Sequence, residues 1–255
     1  MKHGPLVELV IPTLNEAHTL ERSVETIRQY LADDFPYPAR ILVADNGSQD
    51  GTGDLADRLA AKYENVRCLK LNQRGRGRAL REAWSNSDAD IVAYTDVDIS
   101  TELPALEKIC RAMHEDGYHL GTGSRLLSES RVTRGLKREF ISRSYNLFIK
   151  LVLGTKFSDA QCGFKAISRE VAQKIIPQIE DNGWFFDTEL LVLAEKQGFK
   201  IKDVPVEWID DDDSRVKIFS TAWDDILGVL RVRRYLWSRR FDSAKVAPTN
   251  AQLST

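Results

Sequence analysis

Short apolar runs alternate with longer amphipathic stretches through the first half of the chain. The runs are LVELVIP (6–12), RILVAD (40–45), VRCLKL (66–71), DIVAYTD (90–96) and HLGTGS (119–124), and helical patterns fall between them near 16–32, 52–63, 75–87 and 103–116. Strands joined through helices run parallel, because an antiparallel neighbour needs only a tight turn. Strands covered on both faces read as near-continuous apolar runs, as these do. The expected fold is therefore α/β: a Rossmann-like, mainly parallel sheet with helices on both faces. Ligands of such sheets gather at the carboxyl ends of the strands. Polar segments stand at four of those ends: PTLNE after the first run, ADNGSQDGT after the second, NQRGRGRAL after the third and TDVDIS after the fourth. They outline a nucleotide-sized site, although none has the glycine spacing of a dinucleotide fingerprint or a P-loop.

After residue 125 the rhythm gives way to longer helices, 136–154 and 221–241, with DAQCGFKAIS and WFFDTELLVL among the connecting segments. One continuous domain is expected over 1–217, with a nucleotide half at about 6–125 and an acceptor half at about 126–217. An amphipathic helix over 218–241 and a flexible tail over 242–255, which lacks apolar periodicity, would follow. The 36 basic and 38 acidic residues nearly cancel, so no global field draws the protein to nucleic acid. Cys68, Cys110 and Cys162 are too few and too far apart for a disulfide framework or a cysteine zinc site, which fits a reducing cytoplasm. No window approaches the roughly 20 apolar residues of a spanning helix. The N-terminus also lacks the pattern of a signal peptide.

In TDVDIS, extended backbone would send the Asp96 and Asp98 side chains to the same side. Two hard oxygen donors so placed suit Mg²⁺ or Mn²⁺, which completes its shell with water and phosphate oxygens; a capped strand end is the plainer reading. Asp45 and Asn46, beside Gly47, are candidates for contact with a base or ribose, and Asp50 with Thr52 for a helix cap. Asn15 reads as a helix cap or a ligand contact, and Glu16 as a partner for ribose hydroxyls. Arg74 and Arg78, among glycines at a helix start, have the chemistry of phosphate recognition. Arg125 closes the fifth strand, where a guanidinium matches phosphate oxygens. Arg138, Ser142 and Asn146 share one helical face. His3, His18, His114 and His119 show no catalytic spacing.

Taken together, VIPTLNE, VADNGSQDGT, NQRGRGRALREA, YTDVDIST, GSR and DAQCGFK resemble the family-2 glycosyltransferases, more narrowly the polyprenyl-phosphate sugar synthases of the dolichyl-phosphate β-glucosyltransferase type, over roughly residues 6–217. The resemblance implies a GT-A fold, a nucleotide-sugar donor and inversion at the anomeric carbon. By position, Pro12, Asn15, Glu16 and Asp45 would line the nucleotide, and Asp96 and Asp98 would hold the metal and diphosphate. Ser100 stands where some mannose synthases place a Gln ligand, so water is the expected replacement. Arg138, Ser142, Asn146, Asp159, Gln161 and Lys165 resemble a lipid-phosphate segment, Asp187 and Glu189 acceptor-side acids, and Ser214, Arg215 and Lys217 a loop that closes over donor phosphates.

A lipid phosphate is already anionic, so its attack needs no dedicated base, whereas a hydroxyl acceptor does. Arg131, Arg134, Lys137, Arg138, Arg143 and Lys150 alternate with Phe140, Ile141, Leu147, Phe148, Leu151 and Val152. The last helix repeats this with Trp223, Ile226, Leu230, Trp237 and Phe241 beside Arg231, Arg233, Arg234, Arg239 and Arg240. Such helices lie on membrane surfaces or pack into cores. The expected activity is glucose transfer from UDP-glucose to a polyprenyl or dolichyl phosphate, on the cytoplasmic leaflet, with Mg²⁺ or Mn²⁺. GDP-mannose as donor, a saccharide hydroxyl as acceptor with Asp187 as base, and a non-catalytic nucleotide-sugar or membrane-binding module are the alternatives; a homo-oligomer is compatible with each.

Overall fold

The structure, a computed structural model, describes residues 2–133, 135–209 and 218–245. Its first half alternates as expected: β1 (Val7–Thr13), α1 (Leu20–Asp33), β2 (Ala39–Asp45), α2 (Thr52–Lys62), β3 (Val66–Lys70), α3 (Arg76–Ser85), β4 (Ile91–Thr95), α4 (Pro104–Glu115) and β5 (Leu120–Ser124). The second half adds β6 (Arg131–Thr133), α5 (Leu136–Leu153), β7 (Phe164–Ser168), α6 (Arg169–Ile175), α7 (Phe186–Lys196), β8 (Ile201–Pro205), β9 (Glu207–Ile209) and α8 (Ile218–Lys245). Helix α8 runs past the expected boundary at 241, so the start of the presumed tail is helical. Residues 246–255 lie outside the described residues.

The seven-stranded sheet has the order β3-β2-β1-β4-β7-β5-β8. Strand β7, inside a segment expected only to connect, enters between β4 and β5 and runs antiparallel to both. The acceptor half thus supplies two strands, β7 and β8, to the sheet that the nucleotide half begins. One core face holds Leu80, Trp84, Phe186 and Leu190 from α3 and α7; the other holds Val24, Ile27, Leu106 and Ile109 from α1 and α4. Pro12 lies buried in β1, and the β1–β4 ladder has already ended two residues earlier, at Val10 and Tyr94. A proline there withholds no N–H that the ladder needs.

Helices α5 and α8 pack together; each buries some apolar side chains, Ile149 and Leu153 on α5, and leaves others facing outward. Phe140 and Leu151 of α5 are 73% and 76% exposed, while Asn146 of the same helix is 3% exposed. On α8, Trp223, Leu227, Leu230 and Trp237 are exposed and Val229 and Val232 buried. No helix among the described residues is long and apolar enough to cross a membrane.

Two glycines set how closely α3 meets α7. A Cβ on Gly77 would stand 2.6 Å from the Phe186 Cβ, and one on Gly75, whose φ is +142°, would stand 2.5 Å from the Asn182 carbonyl oxygen. Backbone and a packed ring cannot yield as a flexible side chain can. Gly77→Ala should therefore lower stability by about 1–3 kcal/mol, the usual cost of overpacking, read as a lower urea midpoint at unchanged slope.

Candidate active site

Strand β4 delivers Tyr94, Asp96 and Asp98 to the carboxyl end of the sheet. Ile99 adopts a positive φ of 54°, costly for a β-branched residue, and the turn brings the Ser100 N–H to Asp98 Oδ1 at 3.0 Å. Arg76, the first residue of α3, joins two carboxylates. It donates to Asp96 Oδ1 at 3.0 Å and to Asp187 Oδ2 at 2.5 Å. Asp187, at the start of α7 and 3% exposed, also accepts from the Tyr94 hydroxyl at 2.9 Å. The Lys165 ammonium, fully buried on β7, lies 3.5 Å from Asp187 and donates to the Cys162 carbonyl at 2.6 Å. Burial alone would raise the Asp187 carboxyl, but Lys165 and Arg76 outweigh it and hold it below the usual carboxylate range.

Within the glycine-rich segment it is Arg76 that reaches this cluster. Arg74 is exposed and Arg78 donates to the Gln73 side chain, whereas Arg76 occupies the centre. Gly75 and Gly77 permit the close packing that brings Arg76 there. Tyr94 was legible as a neighbour of Asp96 by two-residue alternation along the strand. The pairing of Arg76 with Asp187, more than a hundred residues away, had no sequence signal.

The first two loops are stitched together. The Asn15 N–H donates to Ser48 Oγ at 2.8 Å, the Gln49 N–H to Asn15 Oδ1 at 2.9 Å, and the Glu16 N–H to Thr52 Oγ1 at 2.8 Å. Asn15 sits at φ +56° in a turn and does not cap α1, which begins after Thr19. Asp50 accepts from the Thr52 N–H at 3.0 Å but precedes the N-cap of α2, Gly51, which makes no side-chain cap bond. Asp45 and Asn46 are buried beside these loops, and Asn46 Oδ1 has no partner within the chain. This orphan acceptor suits a donor group on a bound base.

The Arg125 guanidinium makes a bidentate pair with Asp159, Nε to Oδ2 at 2.8 Å and Nη2 to Oδ1 at 3.0 Å, and its backbone N–H adds a third bond at 3.1 Å. Asp159 is completely buried, so it orients Arg125 and does not itself meet an acceptor. Burial raises its carboxyl, but Arg125 and, behind it, Lys165 bring it down to about 2. Asn146 is also internal: its Oδ1 accepts from the Ala160 N–H at 2.8 Å and its Nδ2 donates to the Ser142 carbonyl at 2.9 Å. Ser142 is buried beside it with Oγ unpartnered, and Arg138 is half-buried on the same face. Gln161 donates to Asp225 of α8 at 2.8 Å. Glu189 accepts from Arg231 at 2.8 Å. Cys162 is buried, its thiol pushed up to about 11, which removes it as a nucleophile. Ser214, Arg215 and Lys217 lie outside the described residues.

Asp96 and Asp98 are the candidate metal donors. A Cβ on Gly163 would fall 1.7 Å from Asp96 Oδ2, so glycine is required where this carboxylate rests. Among the described residues no three His, Cys, Asp or Glu side chains form a group able to hold a metal. Two carboxylates without a protein cage fit a hard divalent cation that takes its remaining oxygens from water and a diphosphate.

Asp159 also carries a stability prediction. Its carboxyl is depressed from an ordinary 3.8 to about 2, so its contribution is fully present above pH about 4 and is lost as pH falls through about 2. Asp159→Asn should lower stability at pH 7 by about 3–5 kcal/mol, because Arg125 loses its buried partner. In urea titrations the variant's deficit should shrink toward pH 2.

The family profile described as Glycosyl transferase family 2 matches residues 8–176. The chain is 37% identical to Glycosyltransferase AglD of Haloferax volcanii over 89% of this chain and 36% of that protein. It thus spans about a third of the archaeal relative's length. It is 29% identical to the dolichyl-phosphate beta-glucosyltransferase of Dictyostelium discoideum over 90% of this chain and 75% of that protein. Among solved structures, glucosyl-3-phosphoglycerate synthase of Mycobacterium tuberculosis aligns with a TM-score of 0.69 at 20% identity, over 90% of this chain and 80% of that one. Mannosyl-3-phosphoglycerate synthase of Rubrobacter xylanophilus aligns at 0.66 and 19% identity, over 99% and 79%. These neighbours share the GT-A fold. A family match covering most of the sheet, with the acidic pair at the end of β4, makes this chain a glycosyltransferase of family 2.

Proposed function

We propose that the protein transfers glucose from UDP-glucose to a polyprenyl or dolichyl phosphate with inversion. The observation that carries this reading is the engagement of Asp187. A hydroxyl acceptor needs a free carboxylate to take its proton, and Asp187 is locked among Arg76, Tyr94 and Lys165. Glu189 is similarly held by Arg231. A phosphate acceptor brings its own anionic oxygen. That oxygen attacks the anomeric carbon, the bond from this carbon to the outer phosphate oxygen breaks, and UDP leaves with the electron pair; no proton moves. The relatives named as dolichyl-phosphate beta-glucosyltransferases support this acceptor and sugar.

In this reading Pro12, Asn15, Glu16, Asp45 and Asn46 cradle the nucleoside, with Arg74 and Arg78 at its rim. Asp96 and Asp98 would hold Mg²⁺ or Mn²⁺, which when bound offsets charge on the leaving diphosphate. The Mycobacterium structure carries Mn²⁺ with UDP-glucose, in support of such a metal. Arg125, aligned by Asp159, and Arg138, with Ser142 and Gln161, frame the acceptor phosphate, while Asn146 holds the loop that carries Asp159. Ser214, Arg215 and Lys217 would close over the phosphates. Arg76 would stabilise departing negative charge next to Asp96.

The outward-facing apolar side chains of α5 and α8, interspersed with Arg143, Lys150, Arg233 and Arg234, suit the anionic cytoplasmic leaflet where a lipid phosphate presents its head group. Binding should therefore be peripheral.

With a panel of nucleotide sugars, short-chain polyprenyl phosphate and Mg²⁺ or Mn²⁺, UDP-glucose should be the preferred donor over GDP-mannose. Asp96→Ala and Asp98→Ala should each reduce transfer by about 100-fold or more with the circular-dichroism melt preserved; undiminished turnover would refute the metal assignment. The double variant Phe140→Asp, Leu151→Asp should lose co-sedimentation with anionic vesicles at low salt, while the unchanged protein should bind.

A further inference from the structure

We propose that Asp225 of α8 reads a hydroxyl of the transferred hexose, in a cleft between α8 and the segment preceding α7. This rests on the reading of UDP-glucose as donor. The cleft has a volume of about 420 Å³ and is lined by Asp181, Trp184, Phe185, Asp224, Asp225 and Arg231 among others. It adjoins the acidic pair: the Trp184 ring lies 5.0 Å from the Arg76 guanidinium carbon, and Arg76 is bonded to Asp96.

The lining selects the chemistry of the occupant. Among the described residues its one cation is Arg231, already paired with Glu189 at 2.8 Å and with Glu180 at 3.4 Å, while Asp224 and Asp225 line the space and Asp181 accepts from the Gly183 and Phe186 N–H groups. A second phosphate is repelled there. An uncharged polyhydroxyl ring offers hydroxyl donors to the carboxylates and a C–H face to the exposed Trp184 and buried Phe185. Asp225 is the group prepared for it. It is 3% exposed, Gln161 fixes its Oδ2 at 2.8 Å, the Tyr145 hydroxyl stands beside the carboxyl, and its Oδ1 makes no hydrogen bond of ordinary geometry. A buried acceptor left open is costly unless a ligand completes it. The helix cannot shift easily, because a Cβ on Gly228 would stand 2.5 Å from the Phe185 ring. Burial also pushes the Asp225 carboxyl up to about 7, in keeping with a site dry enough for one hydrogen bond to discriminate.

The test compares UDP with UDP-glucose in the presence of Mn²⁺, by calorimetry, and follows transfer with the 2-, 3-, 4- and 6-deoxy analogues of UDP-glucose. Asp225→Asn preserves shape and the bond to Gln161. It should leave UDP affinity within about twofold and weaken UDP-glucose by about tenfold. One deoxy analogue should be penalised by about 10- to 100-fold in the unchanged enzyme and no longer penalised in Asp225→Asn. Equal losses for UDP and UDP-glucose, or an unchanged deoxy penalty, would overturn the subsite while leaving the donor assignment intact. An unchanged enzyme that takes no glucose from UDP-glucose would overturn the donor reading, and the subsite with it.

Discussion

The charge cluster around Asp187 ties the molecule together. Four separate elements end at it: Arg76 from α3, Tyr94 and Asp96 from β4, Lys165 from β7, and Asp187 from α7. Buried charges are tolerated only when paired and hydrogen-bonded. Here each carboxylate meets a cation, and the Arg76 guanidinium also lies over the Tyr94 ring at 4.6 Å. The requirement reaches outward to the glycines. Gly77 admits Phe186 against α3, and Gly163 admits the Asp96 carboxylate. The antiparallel entry of β7 follows the same logic, since it is this strand that places Lys165 beneath the site.

A second ionic pair governs the acceptor side. Asp159 spends both oxygens on Arg125, so one guanidinium edge is fixed and the side chain is presented in one orientation. Asn146 holds the same loop by accepting from Ala160. Ser142 and Asn146 of α5 are thereby turned inward beside Ile149 and Leu153, while Phe140, Leu147 and Leu151 of the same helix stand outside. Helix α8 beside it exposes an apolar row of its own.

Much of the fold was legible from the alternation of runs in the first half. Parallel order, two-sided burial and polar loops at the carboxyl ends follow from local pattern. The pairing of Asp96 with Asp98 was legible because both lie on one short segment. Strand β7 escaped because FKAIS is only five residues long and follows a loop whose motif draws attention to its polar members. Arg76 escaped for a different reason: three arginines at alternate positions among glycines are equivalent until a packing partner breaks the tie.

What the sequence determined by itself is whatever depends on neighbours along the chain: element type, strand direction, the loops at the carboxyl ends and the acidic pair that closes β4. Only the tertiary structure decided which side chains spend their charge on one another. Arg76 meets Asp187, Asp159 takes Arg125, and Gln161 reaches Asp225 on a helix 64 residues away. Periodicity fixes the face of an element on which a residue lies. It does not fix what that face is packed against, because this depends on contacts between segments distant in the chain, made together when the core forms.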